Sequence, residues 1–119
     1  MSDDPTPESL LPLPAATFHI LLAVADEHRH GYAIIQEVAA RTAGEVRLSA
    51  GTLYRSILRM VEQDLISESA ARPAPELDDE RRRYYGITDF GRAVAGAEVE
   101  RLQGLLRIAR ATGVTPRRV

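Results

Sequence analysis

The stretch Ser49-Ala50-Gly51-Thr52-Leu53-Tyr54-Arg55-Ser56-Ile57-Leu58-Arg59-Met60-Val61-Glu62-Gln63 decides the fold. Ser49 is the kind of side chain that accepts a hydrogen bond from the free amides of a helix start. Leu53, Tyr54, Ile57, Met60 and Val61 then follow at helical spacing, so a helix is expected over about 50–63. Thr52, Arg55, Ser56 and Arg59 fall at intervals of three, one and three and share a polar side opposite the apolar stripe. From Arg47 to Met60 there are three arginines and no carboxylate, and the first acid on the polar side is Glu62. A helix with one side apolar and the other acid-free and basic suits a polyanion.

Upstream, the apolar residues Ala16, Ile20, Leu21, Ala23 and Val24 recur at three- and four-residue intervals, which predicts a first helix over about 15–27 with Pro14 at its start. The polar run Asp26 to Gly31 breaks that pattern. Tyr32, Ile35, Val38 and Ala39 resume it, giving a second helix over about 30–43 that Ala43-Gly44 closes with a left-handed cap. Val46 and Leu48 alternate with polar neighbours and predict a very short strand. Residues 1–12 are rich in proline and acids and are expected to form a disordered leader, with the folded domain beginning near Leu13.

Downstream, Leu65 to Ser69 and Arg81 to Ile87 are compatible with strands joined by a long loop through Arg72-Pro73-Ala74-Pro75, a hairpin or wing over about 65–87. Thr88 and Asp89 then open a last helix over about 88–112, followed by a tail at 113–119. Along that helix Ala95, Val99, Leu102, Leu106 and Ala109 recur at four, three, four and three, a heptad seam. Such a stripe on so small a domain is expected to pack against a second copy of the chain, the other outcome being a return onto the first helix.

The whole chain has 119 residues, a net charge of −2 and no cysteine, which fits one small globular domain and excludes a disulfide framework or a thiolate zinc site. All 15 of its basic residues are arginine. The near-neutral total argues against a nonspecific, histone-like binder and permits one basic face. The acidic start Met1 to Pro5 is unlike a secretory signal, and the longest apolar run, Ala15 to Ala25, is interrupted by Thr17 and His19. A cytoplasmic protein without membrane contact is expected. His19, His28 and His30 lack the spacing of a metal site, the acids Glu76 to Glu80 lie in a proline-flanked run rather than a cleft, and each glycine near a helix has a turn or cap role. Neither an enzyme nor a cofactor is expected.

Helix, helix, short strand, basic helix and hairpin is the order of a winged helix-turn-helix with a C-terminal helix, a mainly α fold with a small β-hairpin. Four separated motifs sharpen it: His30-Gly31-Tyr32, Ser49-Ala50-Gly51-Thr52-Leu53-Tyr54, Asp79-Glu80-Arg81-Arg82-Arg83-Tyr84-Tyr85 and Thr88-Asp89-Phe90-Gly91. In order and spacing they closely resemble PadR-like transcriptional regulators, over roughly residues 13–112. The resemblance implies a homodimeric, usually repressing, DNA-binding protein whose C-terminal helix makes the dimer. Ala50 stands where the family often has proline, and Asp64 where it often has a glycine that ends the recognition helix. Asp79, Arg81 and Thr88 also resemble the wing of MarR-type regulators, but the Gly-Thr-Leu-Tyr match and the missing extra N-terminal helices favour the PadR-like family.

Contact chemistry assigns the roles. Ser49 and Thr52 at the helix start suit phosphate. Arg55 and Arg59, with Ser56, are the candidates for base readout, although either arginine could instead grip phosphate. Arg47 extends the basic face. Tyr32 and Tyr54 serve either as packing or as hydroxyl contacts to phosphate. Arg81, Arg82 and Arg83 in the wing are assigned to backbone or minor groove, Asp79 being placed to orient Arg81. The partners expected are double-stranded promoter DNA, a second copy of the chain, and a small-molecule effector that the sequence does not name. The alternative reading is a winged-helix protein-interaction module without direct DNA binding. Relatives that hold flat aromatics between subunits use tryptophan, and this chain has none.

Overall fold

A computed structural model describes residues 4–69 and 83–115. Four α-helices, α1 (Ala15–Ala25), α2 (Gly31–Arg41), α3 (Ala50–Glu62) and α4 (Asp89–Ala111), accompany three short strands, β1 (Arg29–His30), β2 (Ile66–Ser69) and β3 (Tyr84–Ile87). The strands form an antiparallel sheet in the order β1-β3-β2, with Ile66 opposite Ile87, Ser69 opposite Tyr84, and Arg29 opposite Tyr85. One apolar core joins the layers: Ile20, Leu21 and Val24 of α1, Ile34 and Val38 of α2, Leu53 and Met60 of α3, Leu65, Ile66 and Val94 are almost wholly buried.

Each helix starts where a side chain or proline permits it. His30 caps α2 by accepting the Ala33 N–H at Nδ1, 3.1 Å, and its ring meets Tyr84 edge-on. Ser49 Oγ accepts from Thr52 N at 3.1 Å and Thr88 Oγ1 accepts from Gly91 N at 2.8 Å. The end of α1 carries no basic residue of its own, and its carbonyls are met by arginines from three other places. Arg41 donates to Leu22, Arg29 to Ala23 and Arg92 to Ala25, at 2.9, 2.7 and 2.7 Å.

Two close approaches explain glycines in the recognised motifs. A Cβ at Gly31 would lie 2.8 Å from the Tyr54 hydroxyl, and one at Gly91 would lie 2.1 Å from the Leu65 carbonyl oxygen. The first gives room to side chains of α3, and the second, against backbone, seats α4 against the start of β2. The chain turns out of α2 through Ala43 and Gly44, both left-handed, and out of α3 through Asp64 at φ 60°. Asp64 thus holds a left-handed conformation that glycine adopts most readily, and its carbonyl accepts the Thr88 hydroxyl at 2.6 Å.

Two expectations are corrected. Val46 and Leu48 form no strand; they lie in a segment without regular secondary structure and pack against the core. The free edge of β3 is occupied instead by Arg29-His30, from the polar run between α1 and α2 that sequence pattern marks as a break. The leader is also ordered from Asp4 onward among the described residues. Pro7–Leu10 make a 3-10 turn capped by Thr6, Leu10 and Leu11 pack against the core, and the Leu13 N–H donates to the buried carboxylate of Glu98 at 2.9 Å. Proline content argues for disorder, but three leucines and a buried acceptor on α4 outweigh it.

Candidate nucleic-acid interface

Helix α3 presents three sides. Leu53, Ile57 and Met60 face the core. Thr52, Arg55, Ser56 and Arg59 lie together, and with Pro14 and Thr17 of the α1 start they line an open groove of about 220 Å³. The four predicted polar residues are therefore brought to one surface. Arg55 and Arg59 are exposed, and neither has an ion pair among the described residues. The guanidinium of Arg55 folds back over Gly51, 3.2 Å from where a Cβ would stand, so the absent side chain leaves it room at the helix start.

The first turn of α3 is organised from within. Ser49 Oγ both caps Thr52 N and donates to Thr52 Oγ1, each at 3.1 Å, and Leu53 N donates to Ser49 O. The cap therefore forms with Ala50 rather than proline at the first helical position. Its hydroxyl is engaged in the helix, which leaves the Ala50 and Gly51 amides as the donors of this end.

Other predicted residues are exposed as well. Arg47 is exposed, with its guanidinium over Gly44, 3.0 Å from where a Cβ would lie. Tyr32 and Tyr54 are 60% and 55% exposed, and the Tyr54 hydroxyl sits over Gly31. Arg83 is exposed at the start of β3 and pairs with Glu68 at 3.6 Å. Arg81, Arg82 and Asp79 lie outside the described residues.

Sequence pattern placed Tyr54 and Val61 in the apolar stripe of α3 and passed over Leu58. The structure puts all three outside: Leu58 is 66% exposed and Val61 43%. Their spacing of four and three was the available signal, a second stripe about 100° around the helix from Leu53, Ile57 and Met60. It borders an open groove of about 360 Å³ whose far wall is Tyr85, with the Glu68–Arg83 pair beside it. Burial raises the Tyr85 phenol above its usual range, and the Glu68 carboxylate adds to that.

His28 and His30 have structural work. His28 lies over Gly86, where a Cβ would come within 2.6 Å of its ring, and its Nδ1 is hydrogen-bonded to Ser69 Oγ at 2.6 Å. Among the described residues no group of three or more His, Asp or Glu is arranged to hold a metal ion, and no helix is long and apolar enough to cross a membrane.

On α4 the seam divides. Ala95 packs against the core, whereas Val99, Leu102 and Leu106 are each about two-fifths exposed, with Leu105 and Ile108 more so. Ala109 is partly covered.

Helices α1 and α2, α3 with its arginine side outward and a short three-stranded sheet make this a winged helix-turn-helix domain. The chain belongs to the transcriptional regulator PadR-like family, whose pattern matches residues 20–97. That is a family of transcriptional regulators, not of enzymes. Its fold is similar to that of a transcriptional regulator from Clostridium thermocellum, with a TM-score of 0.67 and 21% identity over 81% of this chain and 87% of that one. A PadR-like transcription factor from Bacteroides fragilis is comparable, with a TM-score of 0.66 and 22% identity over 81% and 87%. An uncharacterized protein from Lysinibacillus sphaericus is 32% identical over 74 residues, 62% of this chain. The match spans 65% of that relative, just under two thirds of its length.

Proposed function

We propose that the chain is a sequence-specific DNA-binding repressor that acts as a homodimer on a pseudo-palindromic promoter site. The observation that carries this reading is the pair Arg55 and Arg59, exposed, without ion partners among the described residues, and set beside Thr52 and Ser56 on the outward side of α3. Arginine presents two parallel donors to the O6 and N7 of guanine, the commonest specific contact in the major groove. The amides at the α3 start and Thr52 would fix register on phosphate, and Arg47 and Arg83, with Arg81 and Arg82, would hold the backbone or minor groove.

Two α3 helices would enter successive major grooves about 34 Å apart, joined through the exposed apolar residues of α4. Occupancy of the promoter would then exclude transcription. A small-molecule effector would act by changing the separation or angle of the two helices, since a ligand indifferent to the two arrangements shifts nothing.

The test is a fluorescence titration of the purified protein against DNA from its own promoter region and a shuffled duplex of equal composition, each at two salt concentrations. A salt-sensitive preference for the promoter supports the reading. Absence of binding to either duplex would favour a protein-interaction module instead.

A further inference from the structure

We infer that Leu58 determines specificity by packing against the C5-methyl group of a thymine in the major groove, an inference that rests on the DNA-reading role proposed above. Leu58 is 66% exposed at the middle of α3 and belongs to none of the core contacts of that helix. One turn before it stands Tyr54 and one turn after it Val61, both exposed, so the apolar surface is continuous over two turns. Arg55 and Arg59 lie three residues before and one residue after Leu58, without ion partners among the described residues, and across the groove toward the wing stands Arg83, paired with Glu68 at 3.6 Å.

An occupant that is anionic along the Arg55–Arg59 side and apolar beside it would match this surface. Duplex DNA meets that description: phosphates line the rims of the major groove and the thymine methyl is the one apolar group that bases present on its floor. An arginine beside Leu58 reads guanine through hydrogen bonds, and Leu58, which has none to offer, reads thymine through contact area. The division of labour also accounts for a leucine left in water on a basic face, where a polar residue would leave the free protein no less stable.

The experiment uses the full chain and duplexes enriched by it from a random pool. Each thymine of the selected site is replaced in turn by deoxyuridine, which removes only the methyl group, and affinities are measured for the wild type and for Leu58→Ala. Wild-type binding should weaken about fourfold at one thymine of the half-site, the loss expected for one methyl group no longer buried. Leu58→Ala should bind the thymine and uracil duplexes equally at that position. Circular dichroism of the variant checks that its fold is intact. If the wild type enriches a site but every thymine-to-uracil effect persists in Leu58→Ala, the inference fails while the DNA-reading role stands. If no sequence is enriched, the DNA-reading role fails and the inference with it.

Discussion

The backbone N–H of Leu13 donates to the carboxylate of Glu98 across 85 positions of chain, at 2.9 Å, and Glu98 is 2% exposed. The other carboxylate oxygen meets Arg101 on the next turn of α4. A buried charge is tolerated here because a guanidinium and an amide both serve it. Glu98→Ala leaves the Leu13 amide without its acceptor and should lower stability by about 1–3 kcal/mol in urea unfolding. It should also speed hydrogen exchange at Leu13. Unchanged exchange there would show that the leader is held by its leucines alone.

Acid should weaken the same contact. The Arg101 hydrogen bond first, opposed by burial and aided by the Leu13 amide, holds the Glu98 carboxyl below its ordinary value. A carboxyl depressed in the folded state stabilises fully above its unfolded pKa, about 4.3, and loses that contribution as pH falls through the folded value. Asp26, lowered chiefly by its hydrogen bond to Arg41, acts in the same direction. Wild-type stability should therefore fall below about pH 4, and Glu98→Gln should show a shallower dependence in that range. Equal slopes for the two proteins would remove Glu98 from the acid transition.

Two glycines of α4 should respond in opposite ways to alanine. At Gly91 the new Cβ would stand 2.1 Å from the Leu65 carbonyl oxygen, so α4 must shift away from the sheet, at a cost of about 1–3 kcal/mol or more. At Gly96 nothing lies within 4 Å, and the substitution should raise stability by about 0.5–1 kcal/mol through helix propensity. Thermal unfolding of the two variants decides the matter, since a pure propensity effect would move both upward.

Most of this architecture is legible in the sequence because its elements are periodic. The caps at Ser49 and Thr88, the apolar spacing of α1 to α4 and the left-handed ends at Gly44 and Asp64 are local signals, and each lies where local chemistry puts it. What escapes is long-range. Arg29-His30 pair with β3 because its free edge requires a partner, and nothing within the polar run Asp26 to Gly31 announces that pairing. Glu98 reads as an ordinary surface acid of an amphipathic helix until Leu13 is folded against it. Tyr54 and Val61 match the apolar period of α3 yet stand outside, because a helical repeat gives the angle between residues but not how wide an arc the core covers. The polar side of α3 was legible because Thr52, Arg55, Ser56 and Arg59 all come from one continuous helix.

Arg55→Ala and Arg59→Ala separate base reading from anchoring. An arginine bound to guanine should cost about 1–3 kcal/mol in binding and relax the preference at one base step only. An arginine on phosphate should weaken all duplexes alike and reduce the salt dependence by about one charge. Titration of each variant against single-base substitutions of the selected site distinguishes the two. Folding should be unchanged in both, since neither guanidinium has an ion partner among the described residues.

The double substitution Leu102→Glu, Leu106→Glu tests the proposed dimer. Both leucines are about two-fifths exposed and lie one turn apart on α4, beyond Glu98, the last buried residue of that helix. Charges there should leave the core of the single chain intact, while two copies facing each other would have to bury four carboxylates without partners. Sedimentation should therefore show a monomer with an unchanged circular dichroism spectrum. Its DNA affinity should fall steeply, because each α3 would then bind its half-site alone and lose the effective concentration that a linked second helix supplies. A variant that stays dimeric would place the interface on another face, and one that is monomeric yet binds the full site undiminished would show that the two half-sites are read independently.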